Sequence, residues 1–204
     1  TKKFEYESWN LMKIYQYKNY QEYKKIQTEA NVKKLDNVWI NEQTLKKIKS
    51  HKKNAENILC HGVRNAKELI YFEKYYPSAK ILGTEISHTA NKFKNVVEWD
   101  FHNVNNKWIN HFDIVYSNSW DHSYDPIKSL NTWKDQLSEN GYMFLEHGFG
   151  EKENKSKSTD PLEIYDSEII KIINDSNCKL KAKFQTTALK NNTPAMVYVI
   201  IKNT

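Results

Sequence analysis

The chain has 204 residues, 39% of them hydrophobic and 27% charged, which suits one globular domain with a full core and is short for two. No apolar run approaches the roughly 18 residues of a membrane span. The net charge of +6 is almost all lysine, with Arg64 the single arginine beside thirty lysines, and specific nucleic-acid readers favour arginine forks, so a solvated lysine surface is preferred to a nucleic-acid partner.

Thr1-Lys2-Lys3-Phe4 lacks the apolar core of a signal peptide. Cys60 and Cys178 fit neither a C-x-x-C metal spacing nor a disulfide framework, so a reducing cytoplasm is the expected setting. Residues 1–53, free of proline and glycine, read as an N-terminal helical cap, and 54–204 as the core of the same domain. Trp9, Met12, Tyr15/Gln16 and Asn19/Tyr20 recur at a 3-4 spacing, which predicts an amphipathic helix. The tyrosines around it (Tyr6, Tyr15, Tyr17, Tyr20, Tyr23) suit either packing or a lid over a pocket. Asn41 is placed as the N-cap of a second helix presenting Leu45 and Ile48 on one face.

From Asn57 onward strands alternate with helices. Residues 58–60 form a strand and 66–76 a helix that stops before Pro77. Residues 80–84 form a strand closed by Glu85, 96–99 a strand closed by Asp100, and 112–116 a fourth strand. Pro126 opens a helix carrying Leu130, Trp133 and Leu137, which Asn140-Gly141 ends. Residues 142–146 are a fifth strand, and the polar stretch 150–161 reads as a mobile loop. A helix over about 162–175 leads to two last strands, 181–189 and 195–202, with Asn191-Asn192-Thr193-Pro194 as a hairpin loop between them. The alternation predicts an α/β, doubly wound, mostly parallel sheet with helices on both faces and an antiparallel strand at one edge.

In such a sheet, ligands bind at the carboxyl ends of the strands, and polar residues recur there. His61-Gly62-Val63-Arg64-Asn65 follows the first strand and precedes a helix N-terminus. Glu85, twenty-three residues beyond Gly62, has the spacing of a carboxylate that accepts from a ribose diol. Asp100-Phe101-His102, the tract from Ser117 to His122, and His147-Gly148 end the next three strands. Together they argue for an adenosine-bearing cofactor. NAD competes, less well, because Arg64 and Ala66 stand where a pyrophosphate needs later glycines.

Over residues 57–148 the sequence resembles the class I, S-adenosylmethionine-dependent methyltransferases. "ILCHGVRNAKEL" is similar to their glycine-rich first motif, "ILGTEIS" to the acidic second and "VVEWDFHN" to the third. "FDIVYSNSWDHSYDP" looks like the fourth and "LSENGYMFLEHG" like the helix–turn–strand that follows. The resemblance implies a seven-stranded sheet of order 3-2-1-4-5-7-6 with S-adenosyl-L-methionine as cofactor and S-adenosyl-L-homocysteine as product. Gly62 would let the backbone approach the methionine part, with His61, Arg64 and Asn65 beside it. Glu85 and Ile86 would meet the ribose, Asp100 and Phe101 the adenine, and Ser117, Asn118 and Ser119 would line the floor under the sulfonium. Trp120, Tyr15 and Trp39 are the expected acceptor contacts. The chain departs from the motif's acid and three alternate glycines: Cys60 takes the acidic place, Arg64 the second glycine and Ala66 the third, which leaves the backbone less freedom.

Methyl transfer to a hydroxyl needs positioning and is helped by a base. His122 is the candidate base, with Asp121 or Asp125 to orient it and His147 as a second candidate; a purely structural histidine is the alternative. Asp121, His122, Asp125, Glu146 and His147 could instead gather around a metal, although no metal is the expectation. The leading expectation is O-methylation of a small-molecule, sugar or phosphorylated acceptor, anionic where the lysines meet it, in a setting such as surface-polysaccharide synthesis. Nucleic-acid or protein methylation, and cofactor binding without catalysis, stand as alternatives. Arg64 is expected to grip the cofactor's carboxylate or an acidic substrate group beside it, or else to pair with a neighbouring carboxylate such as Glu68 four residues on.

Overall fold

The computed structural model describes residues 12–150, 154–189 and 192–203. A short strand β1 (Met12–Ile14) and helices α1 (Tyr20–Lys33) and α2 (Glu42–His51) come first. Then follow β2 (Asn57–His61), α3 (Lys67–Tyr75), β3 (Lys80–Glu85), β4 (Val96–Glu98), β5 (Phe112–Ser117), α4 (Pro126–Gln136) and β6 (Leu137–Gly148). Strand β7 (Leu162–Ile164), α5 (Asp166–Asp175) and the hairpin β8 (Cys178–Thr187) and β9 (Pro194–Lys202) complete the described strands and α-helices, and short 3-10 turns lie at His88–Lys92, Asn106–Trp108 and Trp120–His122.

The central sheet has seven strands in the order β4-β3-β2-β5-β6-β9-β8. Its first five are parallel, and β9 lies antiparallel between β6 and β8. Counted within the sheet, this is the 3-2-1-4-5-7-6 order expected. The chain builds outward from β2 to β4, then returns to the other side of β2 as β5, which opens a crevice between the carboxyl ends of β2 and β5.

Successive residues of the central strands are buried on opposite faces, as the two-residue period requires. Leu59, Val115, Leu145 and Tyr198 share a core with Leu130 and Trp133 of α4 and with Ile169 and Ile173 of α5. Ile58, Ile114, Tyr116, Phe144 and Val199 share the other with Leu45 and Ile48 of α2 and Leu69 and Phe72 of α3. Cover on both faces is why these strands read as unbroken apolar runs. Helix α2 starts as expected, with the Asn41 side chain accepting from Gln43 N.

Four elements depart from the sequence reading. The helix expected around Met12 and Tyr15 is absent from the described residues. Met12–Ile14 is a strand paired antiparallel with β7, Met12 opposite Ile164, and α1 begins only at Tyr20, where Asn19 Oδ1 caps Glu22 N at 3.0 Å; Trp9 lies outside the described residues. The helix expected from 162 likewise gives way to β7 and starts at Asp166. Helix α4 stops at Gln136, since Leu137 already pairs with Phe112 of β5; Gly141 sits inside β6, where a Cβ would lie 2.7 Å from Phe112 O. The described part of 150–161 is tied down: Asn154 Nδ2 donates to Ile164 O at 2.8 Å, and Ser156 Oγ to Pro161 O at 2.9 Å.

Candidate functional site

The turn after β2 frames the crevice. Gly62 has φ 69°, and a Cβ there would meet Ser119 Cβ at 2.6 Å. Arg64 and Ala66, at the later glycine positions, also have positive φ, 38° and 59°. The loop therefore keeps a glycine path without the glycines, at about 1–2 kcal/mol for each left-handed residue. Gly62 N and Val63 N donate to Thr84 O, and Ser119 Oγ donates to Gly62 O, fixing the loop between β3 and β5.

One chamber of the crevice, about 530 Å³, lies between Glu85, Ile86, Asp100 and Phe101 below and Tyr23, Gln27 and Asn31 of α1 above. Glu85 is 5% exposed; its Oε2 accepts from Arg64 N and its Oε1 from Ser87 N, both at 3.0 Å. Burial raises its carboxyl above the ordinary value, against those two N–H groups and the Arg64 charge. A carboxylate offers about four lone-pair sites, so two remain for a ligand diol. Asp100 Oδ1 accepts from His102 N and Nδ1, while Oδ2 has no well-formed hydrogen bond, although the Tyr20 hydroxyl also reaches the carboxylate. Burial would raise the Asp100 carboxyl, but His102 outweighs it and holds it down.

A second chamber, about 950 Å³, adjoins the first, sharing Lys34, Gly62, Arg64, Ser119 and His122. Trp39, Asn65, Glu68, Asn118, Asp121 and Asp160 line the rest of it, with Lys157. Asn65 Nδ2 donates to Leu35 O at 2.8 Å and Asn37 O at 3.0 Å, holding the α1–α2 connection against the loop. Arg64 Nη1 reaches Asn37 O at 3.5 Å rather than pairing directly with Glu68.

His122 sits at the junction, its side chain 19% exposed. Its Nδ1 lies 2.8 Å from Thr159 O and 3.1 Å from Gln27 Oε1. Both partners accept, since the Gln27 amide nitrogen donates to Thr159 O, so in the neutral tautomer the proton sits on Nδ1 and the lone pair on Nε2. Asp121 Oδ1 is 3.8 Å from Nε2 and Asp160 Oδ1 is 3.7 Å from Nδ1. Burial pushes the Asp160 carboxyl up, but His122 and Lys157 outweigh it and bring it to about 2.

Of the residues expected here, Gly62, Arg64, Asn65, Glu85, Ile86, Asp100, Phe101, Asn118, Ser119, Asp121, His122 and Trp39 line the two chambers. Others face elsewhere. The His61 ring is 1% exposed, bonded to Thr84 Oγ1 and Gln136 Oε1 at 2.8 Å each and stacked on Trp133; burial lowers it to about 4. Ser117 Oγ is buried and donates to His61 O. Trp120 is fully buried, its indole donating to Ser129 Oγ at 3.0 Å, and so offers no acceptor contact. His147 is buried beside Asn154 and Trp120. Tyr15 lines a separate tyrosine-rich hollow with Tyr20 and Tyr124. The five-residue metal set does not converge: Asp125 caps α4 through Lys128 N, and Glu146 lies under the sheet's end beside Tyr116. Among the described residues Asp121, His122 and Asp160 do converge, with ligand atoms within 4.8 Å of one another.

Of the tyrosines expected to pack or to form a lid, Tyr23 borders the first chamber; sequence reasoning missed Gln27, Asn31 and Lys34, which continue from Tyr23 at a spacing of four and three, a readable helical face. It also missed Glu68 and Asp160, which carried no local signal. Among the described residues no helix is long and apolar enough to cross a membrane.

The chain matches no family model and no curated protein. Solved structures share its fold. A Burkholderia thailandensis 1,6-didemethyltoxoflavin-N1-methyltransferase, with bound 1,6-didemethyltoxoflavin and S-adenosylhomocysteine, aligns over 93% of both chains with a TM-score of 0.73 at 12% identity. A SAM-dependent methyltransferase from Aquifex aeolicus aligns over 84% of this chain and 97% of its own, with a TM-score of 0.63 at 19% identity. SpnF, named as a cyclase, aligns over 89% and 94% with a TM-score of 0.63 at 9% identity. Two further neighbours are named O-methyltransferases. At these identities the likeness establishes the fold, that of the class I S-adenosylmethionine-dependent methyltransferases.

Proposed function

We propose that this chain, which has the class I methyltransferase fold, is an S-adenosylmethionine-dependent methyltransferase acting on an oxygen of a small acidic acceptor, with His122 as the base. One observation carries the reading. Two acidic side chains with open acceptor capacity, Glu85 and Asp100, line one chamber, and an oriented histidine stands where that chamber meets the next. The residues fit the cofactor: Glu85 retains lone pairs for the ribose hydroxyls, and Asp100 Oδ2 retains acceptor capacity for the adenine amino group. S-adenosylmethionine supplies, when bound, a methyl group on a sulfonium.

The chain's own part is to hold and deprotonate the acceptor. His122 Nε2 takes the hydroxyl proton, and the resulting imidazolium lies between Asp121 and Asp160, which stabilise it. Lys34, and Lys157 beside its partner Asp160, line the part of the second chamber away from the glycine loop and favour a phosphorylated or carboxylated acceptor, such as a sugar phosphate. Helix α1 roofs the crevice, which favours a small molecule over a polymer.

Calorimetric titration with S-adenosylhomocysteine tests the cofactor half, and methyl transfer to a panel of phosphorylated sugars and acids, comparing wild type with His122→Ala, tests the rest. Binding together with His122-dependent transfer supports the reading. Binding without transfer to any acceptor retires the transferase half, an outcome consistent with a fold that also serves a protein named as a cyclase. Absence of binding retires both.

A further inference from the structure

We propose that Glu68 is the anchor for the α-ammonium group at the methionine end of the cofactor, with Arg64 opposite it for the carboxylate. The inference rests on the S-adenosylmethionine reading above and gives a role to Glu68, which that reading left without one. Glu68 lies in the first turn of α3, is 6% exposed and lines the second chamber beside Arg64, Asn65 and Asn118. Its Oε1 accepts from Asn118 Nδ2 at 3.1 Å, and its Oε2 has no hydrogen-bond partner. A buried carboxylate oxygen without a partner is costly, and a cation entering the chamber would remove that cost. The position that is acidic in the glycine-rich motif is Cys60 here, and Glu68 puts a carboxylate near it, close enough to add to the burial that raises the Cys60 thiol.

An α-amino acid presents an ammonium and a carboxylate one carbon apart. The chamber presents an acid and a planar guanidinium four residues apart along the chain, both on its wall. This pairing discriminates a zwitterion from a simple nucleoside.

The groups facing Glu68 are Arg64 on the loop, Glu85 from β3, Cys60 from β2, and Tyr116 and Glu146 from β5 and β6. Burial pushes the Glu68 carboxyl up to about 7 and Glu85 adds to it, while its own backbone N–H, Asn118 and Arg64 oppose. An ammonium arriving at Oε2 favours the charged form, so binding near pH 6.5 expels a proton from Glu68.

The test titrates wild type, Glu68→Gln and Glu68→Asp with S-adenosylhomocysteine and with 5′-methylthioadenosine, which lacks the amino-acid end. Calorimetry near pH 6.5 in buffers of different ionisation enthalpy counts the protons released. The expected result is a loss of about tenfold to a hundredfold in S-adenosylhomocysteine affinity for Glu68→Gln, with 5′-methylthioadenosine unaffected. Proton release should be present in wild type and Glu68→Asp and absent in Glu68→Gln. Equal S-adenosylhomocysteine affinity in wild type and Glu68→Gln overturns the proposal, as does an equal loss for both ligands, which marks a structural role. Failure of wild type to bind S-adenosylhomocysteine overturns the cofactor reading itself and is recognised by that.

Discussion

The Tyr116 hydroxyl donates to Glu146 Oε2 across 2.7 Å, with both residues sealed inside the core at the ends of β5 and β6. The other oxygen, Oε1, has no well-formed hydrogen bond, although the Trp39 side chain reaches the carboxyl and with Tyr116 opposes the effect of burial. Burial raises the Glu146 carboxyl to about 7, and the charge of Glu68 adds to the rise although Tyr116 opposes it. A carboxyl raised on folding contributes stability below its unfolded value and loses it as pH climbs through the folded value. Glu146→Gln keeps the shape and the Tyr116 bond but does not titrate. Its stability relative to wild type should therefore improve by roughly 2–3 kcal/mol between pH 4 and pH 8. Denaturant unfolding at both ends of that range measures it, and parallel stabilities would show that the folded Glu146 carboxyl titrates at its ordinary value.

What the sequence revealed depended on how local the determinant was. Strands β2, β5 and β6 are covered on both faces and announce themselves as apolar runs, and Glu85 and Asp100 announce themselves by following such runs. The face of each strand-end residue was also open to reading, but by parity rather than by polarity. His61 lies two residues beyond Leu59 and His147 two beyond Leu145, so both share the face that packs on α4 and α5 and neither reaches the crevice. By contrast, β1 exists because Met12 pairs with Ile164, a contact no local period encodes. Asp160 becomes a site residue only because a polar stretch folds back against His122. Glu68 looks like any first-turn glutamate until β2, β5 and β6 enclose it.

The loop after β2 yields a pair of opposite predictions. Gly62→Ala should abolish cofactor binding and cost about 1–3 kcal/mol, because its Cβ would meet Ser119 Cβ at 2.6 Å. Ala66→Gly should stabilise by about 0.5–1 kcal/mol, since φ 59° is strained for alanine and natural for glycine. Thermal melts of the two variants give both signs, and a destabilised Ala66→Gly protein would contradict the left-handed assignment of that residue.

Helix α1 should be the least protected helix bordering the site. Its buried residues are Tyr23, Gln27 and Asn31, so it is held through hydrogen bonds to His122 O, Thr159 O and Thr89 rather than through an apolar stripe. Helix α4, which buries Leu130 and Trp133, sets the comparison. Hydrogen exchange should run faster in α1 than in α4 without ligand and slow selectively in α1 with S-adenosylhomocysteine. Equal protection of the two helices in both states would mean that α1 is a fixed wall rather than a roof that opens.

The last prediction separates chemistry from support around His122. His122→Ala removes the base and should lower kcat by about 10²- to 10⁴-fold while leaving S-adenosylhomocysteine affinity close to wild type. Asp160→Asn should cost less in kcat, because Thr159 O still fixes the proton on Nδ1. It should, however, show in stability. Burial alone would raise the Asp160 carboxyl, yet His122 and Lys157 bring it down to about 2. A depressed carboxyl contributes stability above its unfolded value and loses it as pH falls through the folded value. Asp160→Asn should therefore be less stable than wild type by about 1–2 kcal/mol at neutral pH, and the gap should close between pH 4 and pH 2. Single-turnover rates and unfolding curves on the same two variants decide it: a kcat loss in Asp160→Asn as large as that in His122→Ala would make Asp160 part of the proton path and not its support.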